Sequence, residues 1–169
     1  GATRPFNYER FLRNDSSGKT VLASAIEDVQ QGAVEHHDKM IGNQCPAPGV
    51  QTFHFRSQPL GVGTDGRYPY PATENWQKAL GAHQLWLEAD VEVTILASAG
   101  AEPPLRQFKA EMTIHVEDMY NFNPGAADIA TGTPDADNGR FEITGLGHEF
   151  LQTASVKRSV LFSRPLLSA

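Results

Sequence analysis

The sequence has few features that would cross-link the chain or insert it into a membrane. Cys45 is the only cysteine among 169 residues, which excludes an intramolecular disulfide framework. No apolar run approaches the roughly 18 residues that a membrane-spanning helix needs. The opening residues, GATRPFNYERF, lack the apolar core of a signal peptide, so we expect another element to deliver any extracellular form.

Positive charge is also scarce. The chain has 14 Lys and Arg against 20 Asp and Glu, for a net charge of -6, and no basic stripe. Electrostatics therefore gives no reason to expect a nucleic-acid partner or attachment to anionic lipid. The His-Glu-x-x-His, Walker, Gly-x-Ser-x-Gly and Cys/His zinc motifs are absent too, so the commonest hydrolase and nucleotide-binding signatures give no support.

The apolar content of 40% suits one globular domain with a core. Residues 1–19 carry no clear period, but from Thr20 apolar residues recur at three- and four-residue steps, which predicts a helix that stops near Gly42. We interpret residues 1–60 as a helical N-terminal segment with a connection, and residues 61–169 as a β-rich domain, the two forming one compact unit. Within the second segment, a short helix with Thr73 as its N-cap is expected before the β-strands.

Period-two alternation is the strongest signal in the sequence. It runs over residues 85–95 and again over 108–116, with a Gly- and Pro-rich loop between, and predicts two antiparallel strands that each bury one face. Residues 141–144 and 156–162 are predicted to be further strands. The chain is therefore predicted to be α+β.

A polar loop is predicted between Val116 and Phe141. Its acids, amides, phenol and single Arg suit a cation site, a phosphate clamp or general acid-base catalysis. The competing interpretation is turn chemistry, because Asp and Asn side chains in such loops bond to nearby backbone, and this applies above all to Asp135 and Asp137. Asp118 and Tyr120 are better catalytic candidates, since they directly follow a strand that aims them. We expect Asp118 to be an exposed loop carboxylate that adds little to stability.

The segment Glu117-Asp118-Met119-Tyr120-Asn121-Phe122-Asn123 resembles the active-site motif of colicin M-type bacteriocins. That motif runs acidic-Asp-x-Tyr-Asp-Phe-Asn and is followed by His-Arg. An aromatic-Pro element at Tyr68-Pro69, two alternating strands before the motif, and Leu146-Gly147-x-x-Phe150 after it fall in the same order as in the family.

The resemblance implies a half-open antiparallel β-barrel beside the N-terminal helix. It also implies a metal-dependent hydrolase toxin domain that uses Mg²⁺ to cleave lipid II, the polyprenyl-pyrophosphate precursor of peptidoglycan. Such a domain would belong to a larger secreted or delivered toxin, would act in the periplasm of a target bacterium, and would have an immunity protein as a further partner.

The resemblance also assigns residues. Asp118 corresponds to the essential acid and Tyr120 to the neighbouring phenol, whereas Asn121 stands where the family has a second Asp. Ala127-Asp128 replaces the family's His-Arg, so Asp128 is the expected second metal ligand beside Asp118. Arg140 and His148 are the candidates to replace the missing phosphate clamp and proton carrier. The expected substrate-binding residues are Asn123, Asp135, Asp137 and Glu142.

Two other functions fit the same residues. One is a non-catalytic β domain that binds a glycan or protein ligand through the loop at 117–140. The other is a toxin with this scaffold and a different substrate, since a shared fold does not fix the chemistry.

Overall fold

The computed structural model describes residues 3–98, 100–120 and 150–166, apart from the side chain of Tyr120. In chain order the elements are β1 (Thr3–Pro5), α1 (Tyr8–Asn14), α2 (Ser16–Ile41), β2 (Gly49–Arg56), β3 (Leu60–Val62), α3 (Glu74–Ala79), β4 (His83–Ile95), β5 (Leu105–Tyr120) and β6 (Phe150–Pro165). None of the helices in these ranges is long and apolar enough to cross a membrane.

The described strands form one sheet in the order β1-β6-β5-β4-β2, with β3 also paired to β4. The register of β2 on β4 is antiparallel, from Gly49 opposite Ile95 to Arg56 opposite Glu88. Strand β1 pairs with β6 in parallel, with Thr3 opposite Leu151. The predicted α+β class is confirmed. This order of the described strands is open, so the half-open barrel stays a prediction.

The predicted long helix and both predicted alternating strands are confirmed as α2, β4 and β5. Helix α2 begins at Ser16, earlier than its apolar period suggests, and ends before Gly42, whose φ of +57° provides the left-handed residue that commonly follows a helix. Along β4 the burial alternates strictly, with Leu85 to Ile95 buried at every second position. Among the described strands, β4 contributes the most buried apolar residues to the core.

The chain divides into two compact units, each built from separate stretches of sequence. One unit comprises residues 1–23, 59–85 and 115–156, and the other comprises residues 24–58, 86–114 and 157–169. We call them the first and second unit.

A buried tyrosine–histidine pair anchors the first unit. The Tyr8 hydroxyl donates to Nε2 of His83 at 2.8 Å, and Nδ1 of His83 donates to the carbonyl of Gly81 at 2.9 Å. The carbonyl accepts only, so Nδ1 of His83 carries a proton; because the pKa of this ring lies well below neutral pH, the imidazole is neutral and Nε2 is the acceptor. Burial lowers the pKa of His83 to about 4 and raises the pKa of the Tyr8 phenol. The ring of Phe11 packs against both.

Asp15 connects two helix starts in the same unit. Its carboxylate lies just before α2 and accepts from the backbone N–H groups of Ser17 and Gly18, as an N-cap does. It also accepts from the N–H of Ala72 and from both the N–H and the hydroxyl of Thr73. Thr73 holds the predicted N-cap position of α3, but its hydroxyl donates to Asp15 and does not cap its own helix.

A buried arginine organises the second unit. The Arg106 guanidinium is 2% exposed and donates to Oδ1 of Asp38 at 2.6 Å, to Nδ1 of His37 at 3.1 Å and to the carbonyl of Pro165 at 3.2 Å. Arg only donates, so Nδ1 of His37 accepts and its Nε2–H donates to Gln51 at 2.8 Å. Burial, followed by the charge of Arg106, lowers the pKa of His37 despite the opposing effects of Gln51 and Asp38.

Two glycines of α2 provide a matched test of packing. A methyl group on Gly18 would overlap the carbonyl oxygen of Phe11 and lie 2.6 Å from its carbon, whereas one on Gly32 meets the Phe55 ring at 3.0 Å. Alanine favours a helix over glycine by about 1 kcal/mol, but a clash with fixed backbone outweighs that gain. We expect Gly18→Ala to lower the free energy of unfolding by about 3 kcal/mol.

Gly32→Ala should stay within about 1 kcal/mol of the wild type, because the Phe55 ring can turn aside. Urea unfolding of the two variants measures both values. Equal stability of the two would show that the Phe11 carbonyl does not restrict position 18.

Candidate active site

The candidate site lies at the end of β5, where the strand extends further than the sequence predicts. The predicted strand ends at Val116, whereas β5 continues to Tyr120. Alternation therefore carries past Val116, and Asp118 falls in the row of buried residues that includes Met112, Ile114 and Val116. A carboxyl group thus occupies the last buried position described in a row that is apolar from Phe108 to Val116.

Burial changes the chemistry expected of Asp118. Its side chain is 9% exposed, so the prediction of an exposed loop carboxylate is wrong. Desolvation raises the pKa of Asp118 to about 6. Removal from water destabilises the charged carboxylate more than the neutral acid, so the proton is held more tightly. A carboxyl group with this pKa is suited to exchange protons near neutral pH.

In the described residues, the side chain of Gln152 in β6 forms a hydrogen bond with Asp118. Its Nε2 donates to Oδ2 of Asp118 at 3.4 Å and to the carbonyl of Ala79, the last residue of α3, at 3.2 Å. No motif in the sequence points to Gln152. Its position relative to Val156 and Val160 could have identified it. Residues an even number of positions apart on a strand lie on the same face, so Gln152 shares the face of β6 that buries these two valines.

The other predicted site residues are tested less far. Tyr120 is the last residue of β5, two positions after Asp118, and its side chain lies outside the description. The remaining predicted residues lie outside the described ranges; they are Asn121, Asn123, Asp128, Asp135, Asp137, Arg140, Glu142 and His148. Their roles stay predictions.

Of the two predicted metal ligands, Asp118 lies in the described residues and Asp128 does not. Those residues contain no group of three or more His, Cys, Asp or Glu side chains placed to hold a metal ion. Asp118 nevertheless offers a carboxylate with one described side-chain donor, Gln152. Proteins often bind Mg²⁺ through one or two carboxylates together with substrate phosphates and water, so Asp118 fits as one of those carboxylates.

Comparisons with known proteins give one structural likeness. No protein-family model matches the chain, and no curated protein matches it. The structure is similar to that of PaeM, a colicin M-like bacteriocin produced by Pseudomonas aeruginosa, with 15% sequence identity and a TM-score of 0.44. The match covers 98% of this chain and 47% of PaeM, so the chain spans about half the length of that protein. At this identity and TM-score the likeness is a weak one of fold and assigns no activity.

Proposed function

We propose that the chain is a toxin domain of colicin M type that hydrolyses lipid II. One observation carries the proposal: the Asp of the sequence's Asp-x-Tyr motif is a buried carboxyl group at the end of a strand, with a pKa raised to about 6. Buried carboxyl groups are costly to keep, and groups with such shifted pKa values concentrate at functional sites. A solvated turn residue would have neither property.

Hydrolysis of a polyprenyl pyrophosphate suits this residue. An attacking water must lose a proton, and negative charge develops on the departing phosphate oxygens. In the proposed role, Asp118 is ionised at neutral pH and accepts that proton. Tyr120 and Asn121 orient the reacting groups, His148 carries a proton, and Arg140 binds the phosphates through its two-pronged guanidinium.

We include Mg²⁺ in the proposal, with Asp118 and Asp128 as its carboxylate ligands. When bound, the ion would neutralise developing charge on the pyrophosphate. Asn123, Asp135, Asp137 and Glu142 are the proposed contacts to the rest of the substrate. The protein would be delivered to the periplasm of a target bacterium as part of a larger toxin and would be blocked by an immunity protein.

Incubation with radiolabelled lipid II tests the proposal directly. With Mg²⁺ present, we expect the wild-type protein to release a free polyprenol and a water-soluble pyrophosphate, which chromatography separates. Asp118→Ala should abolish the release. Asp90→Ala is the control, because Asp90 lies in the second unit with its side chain 81% exposed.

Retained lipid II without product would contradict hydrolysis. Binding of an isolated glycan or protein that persists in Asp118→Ala would instead favour the non-catalytic domain, and cleavage of another polyprenyl pyrophosphate would favour a different substrate. Loss of activity on adding EDTA, restored by Mg²⁺, tests the metal.

A second set of variants tests the replacements for the missing His-Arg pair. His148→Ala should slow the reaction by about 10²–10⁴-fold if its imidazole transfers a proton. Arg140→Lys should reduce kcat/KM substantially, because Lys does not reproduce two parallel hydrogen bonds to phosphate. Wild-type rates in both variants would show that the clamp and proton carrier are other residues.

A further inference from the structure

We propose that Gln152 is a positioning residue of the candidate site. Its side-chain amide holds Oδ2 of Asp118, so that Oδ1 takes the reacting role. This inference rests on the proposed function and adds a residue that lies outside the resembling motif. It follows from the placement of Gln152 in the sheet, the direction of its hydrogen bonds and the element to which it is fixed.

The placement of Gln152 in the sheet supports this role. Strands β5 and β6 are neighbours in the sheet, and the row of β6 that contains Gln152 also contains the buried Val156 and Val160. Gln152 and Asp118 are thus a polar pair on adjacent strands whose rows are otherwise largely apolar. Burying the Asp118 carboxyl group costs free energy that an apolar side chain at that position would not cost. A role in the site accounts for keeping the pair.

The direction of the Gln152 hydrogen bonds supports the same role. The Gln152 amide nitrogen lies 3.2 Å from the carbonyl oxygen of Ala79 and 3.4 Å from Oδ2 of Asp118. Both partners are acceptors when Asp118 is ionised, so the amide must turn its two N–H groups towards them and not its oxygen. The chemistry of the partners therefore fixes the orientation of the amide.

Helix α3 anchors the side-chain amide of Gln152. Ala79 ends α3, and the last carbonyls of a helix have no donor within the helix. The backbone carbonyl of Ala79 is thus a stationary acceptor that holds one N–H of Gln152 in place. The other N–H then restricts the orientation of the Asp118 carboxylate. Restricting a reacting group is worth a large rate factor, because displacement by about 1 Å costs up to about 10²-fold.

Two matched glutamine variants separate positioning from helix capping. Gln152→Met keeps the length of the side chain and removes both donations. Gln77→Met is the control, because Gln77 is in the same unit and its amide donates to the carbonyl of Pro71 at 2.9 Å without touching Asp118. Both variants should lose a similar amount of thermal stability.

Only Gln152→Met should lose activity on lipid II. We expect its kcat to fall by about 10–100-fold with KM within about twofold of the wild type, since the substrate contacts remain. Gln152→Glu should be at least as slow, because it sets oxygen against oxygen at both partners. An active wild type with an unchanged kcat in Gln152→Met would overturn the inference and leave the proposed function standing.

An NMR measurement decides the inference without any activity. In ¹⁵N-labelled protein the side-chain amide signals of Gln152 should move on Asp118→Ala, and those of Gln77 should not. A Gln152 amide that ignores the substitution overturns the positioning role. Failure of the wild type to cleave lipid II would reject the proposed function by itself, and the amide shift would still show whether Gln152 holds Asp118.

Discussion

Asp118→Asn should make the protein more stable and inactive at the same time. A rise in pKa from 3.8 to about 6 means that the folded state disfavours the charged carboxylate by about 3 kcal/mol. The neutral amide removes that cost and keeps an oxygen for the Gln152 amide. We expect the free energy of unfolding to rise by about 1–3 kcal/mol at pH 8. Hydrolysis of lipid II should fall by about 10²–10⁴-fold.

The pH dependence of this gain has a definite sign. Above pH 6 the folded wild type carries the full cost of the buried charge. Below 3.8 both states are protonated and the cost is gone, so the advantage of the variant should shrink as pH falls between those values. Urea unfolding in EDTA at several pH values measures it, with Asp90→Asn as the exposed control. A variant less stable than the wild type at pH 8 would show that Asp118 is retained for stability.

Asp15→Ala should lower the free energy of unfolding of the protein by about 4 kcal/mol. The substitution removes the acceptor of five hydrogen bonds, from the N–H groups of Ser17, Gly18, Ala72 and Thr73 and from the Thr73 hydroxyl. Asp15 itself is 0% exposed, and donors left unsatisfied away from water are each penalised by about 1–3 kcal/mol. We expect water to reach some of these donors in the variant, so the loss of stability should be smaller than the sum of the five separate penalties.

The control for Asp15 is Asp65→Ala. Asp65 accepts from the N–H groups of Arg67 and Tyr68, but it is exposed and its bonds are local, so the variant should lose less than about 1 kcal/mol. The loss of stability in Asp15→Asn should lie between those of Asp15→Ala and Asp65→Ala, because the side-chain NH₂ group replaces one carboxylate oxygen and faces the N–H donors. Chemical denaturation of the three variants ranks them, and equal losses at positions 15 and 65 would contradict the bridging role.

Acid should weaken the Asp15 contribution in a predictable direction. Burial alone would raise the pKa of Asp15, but the hydrogen bonds from Thr73, Ala72 and Gly18 outweigh it and lower the pKa below 3.8. The stability that Asp15 contributes is thus fully present above 3.8 and is lost as pH falls through the lower folded value. The difference in the free energy of unfolding between the wild type and Asp15→Ala should therefore decrease only as pH falls below 3.8.

Several elements could be predicted because their causes are local. Alternating apolar residues place β4 and most of β5, and a three- and four-residue apolar period places α2, since both patterns follow from backbone geometry. The α+β class follows from them. Helix α1 and strand β1 have no such period and were not predicted, because the tertiary partners of Tyr8 and Thr3 decide their positions.

The candidate site divides in the same way. The sequence by itself identified Asp118, through its motif and its place next to a strand, and excluded disulfide scaffolds and the common metal and nucleotide motifs. Only the tertiary structure decided that Asp118 is buried, that Gln152 holds it, and that its pKa rises. The physical reason is that desolvation and hydrogen bonding depend on which strands become neighbours, and residues 118 and 152 meet only through the pairing of β5 with β6.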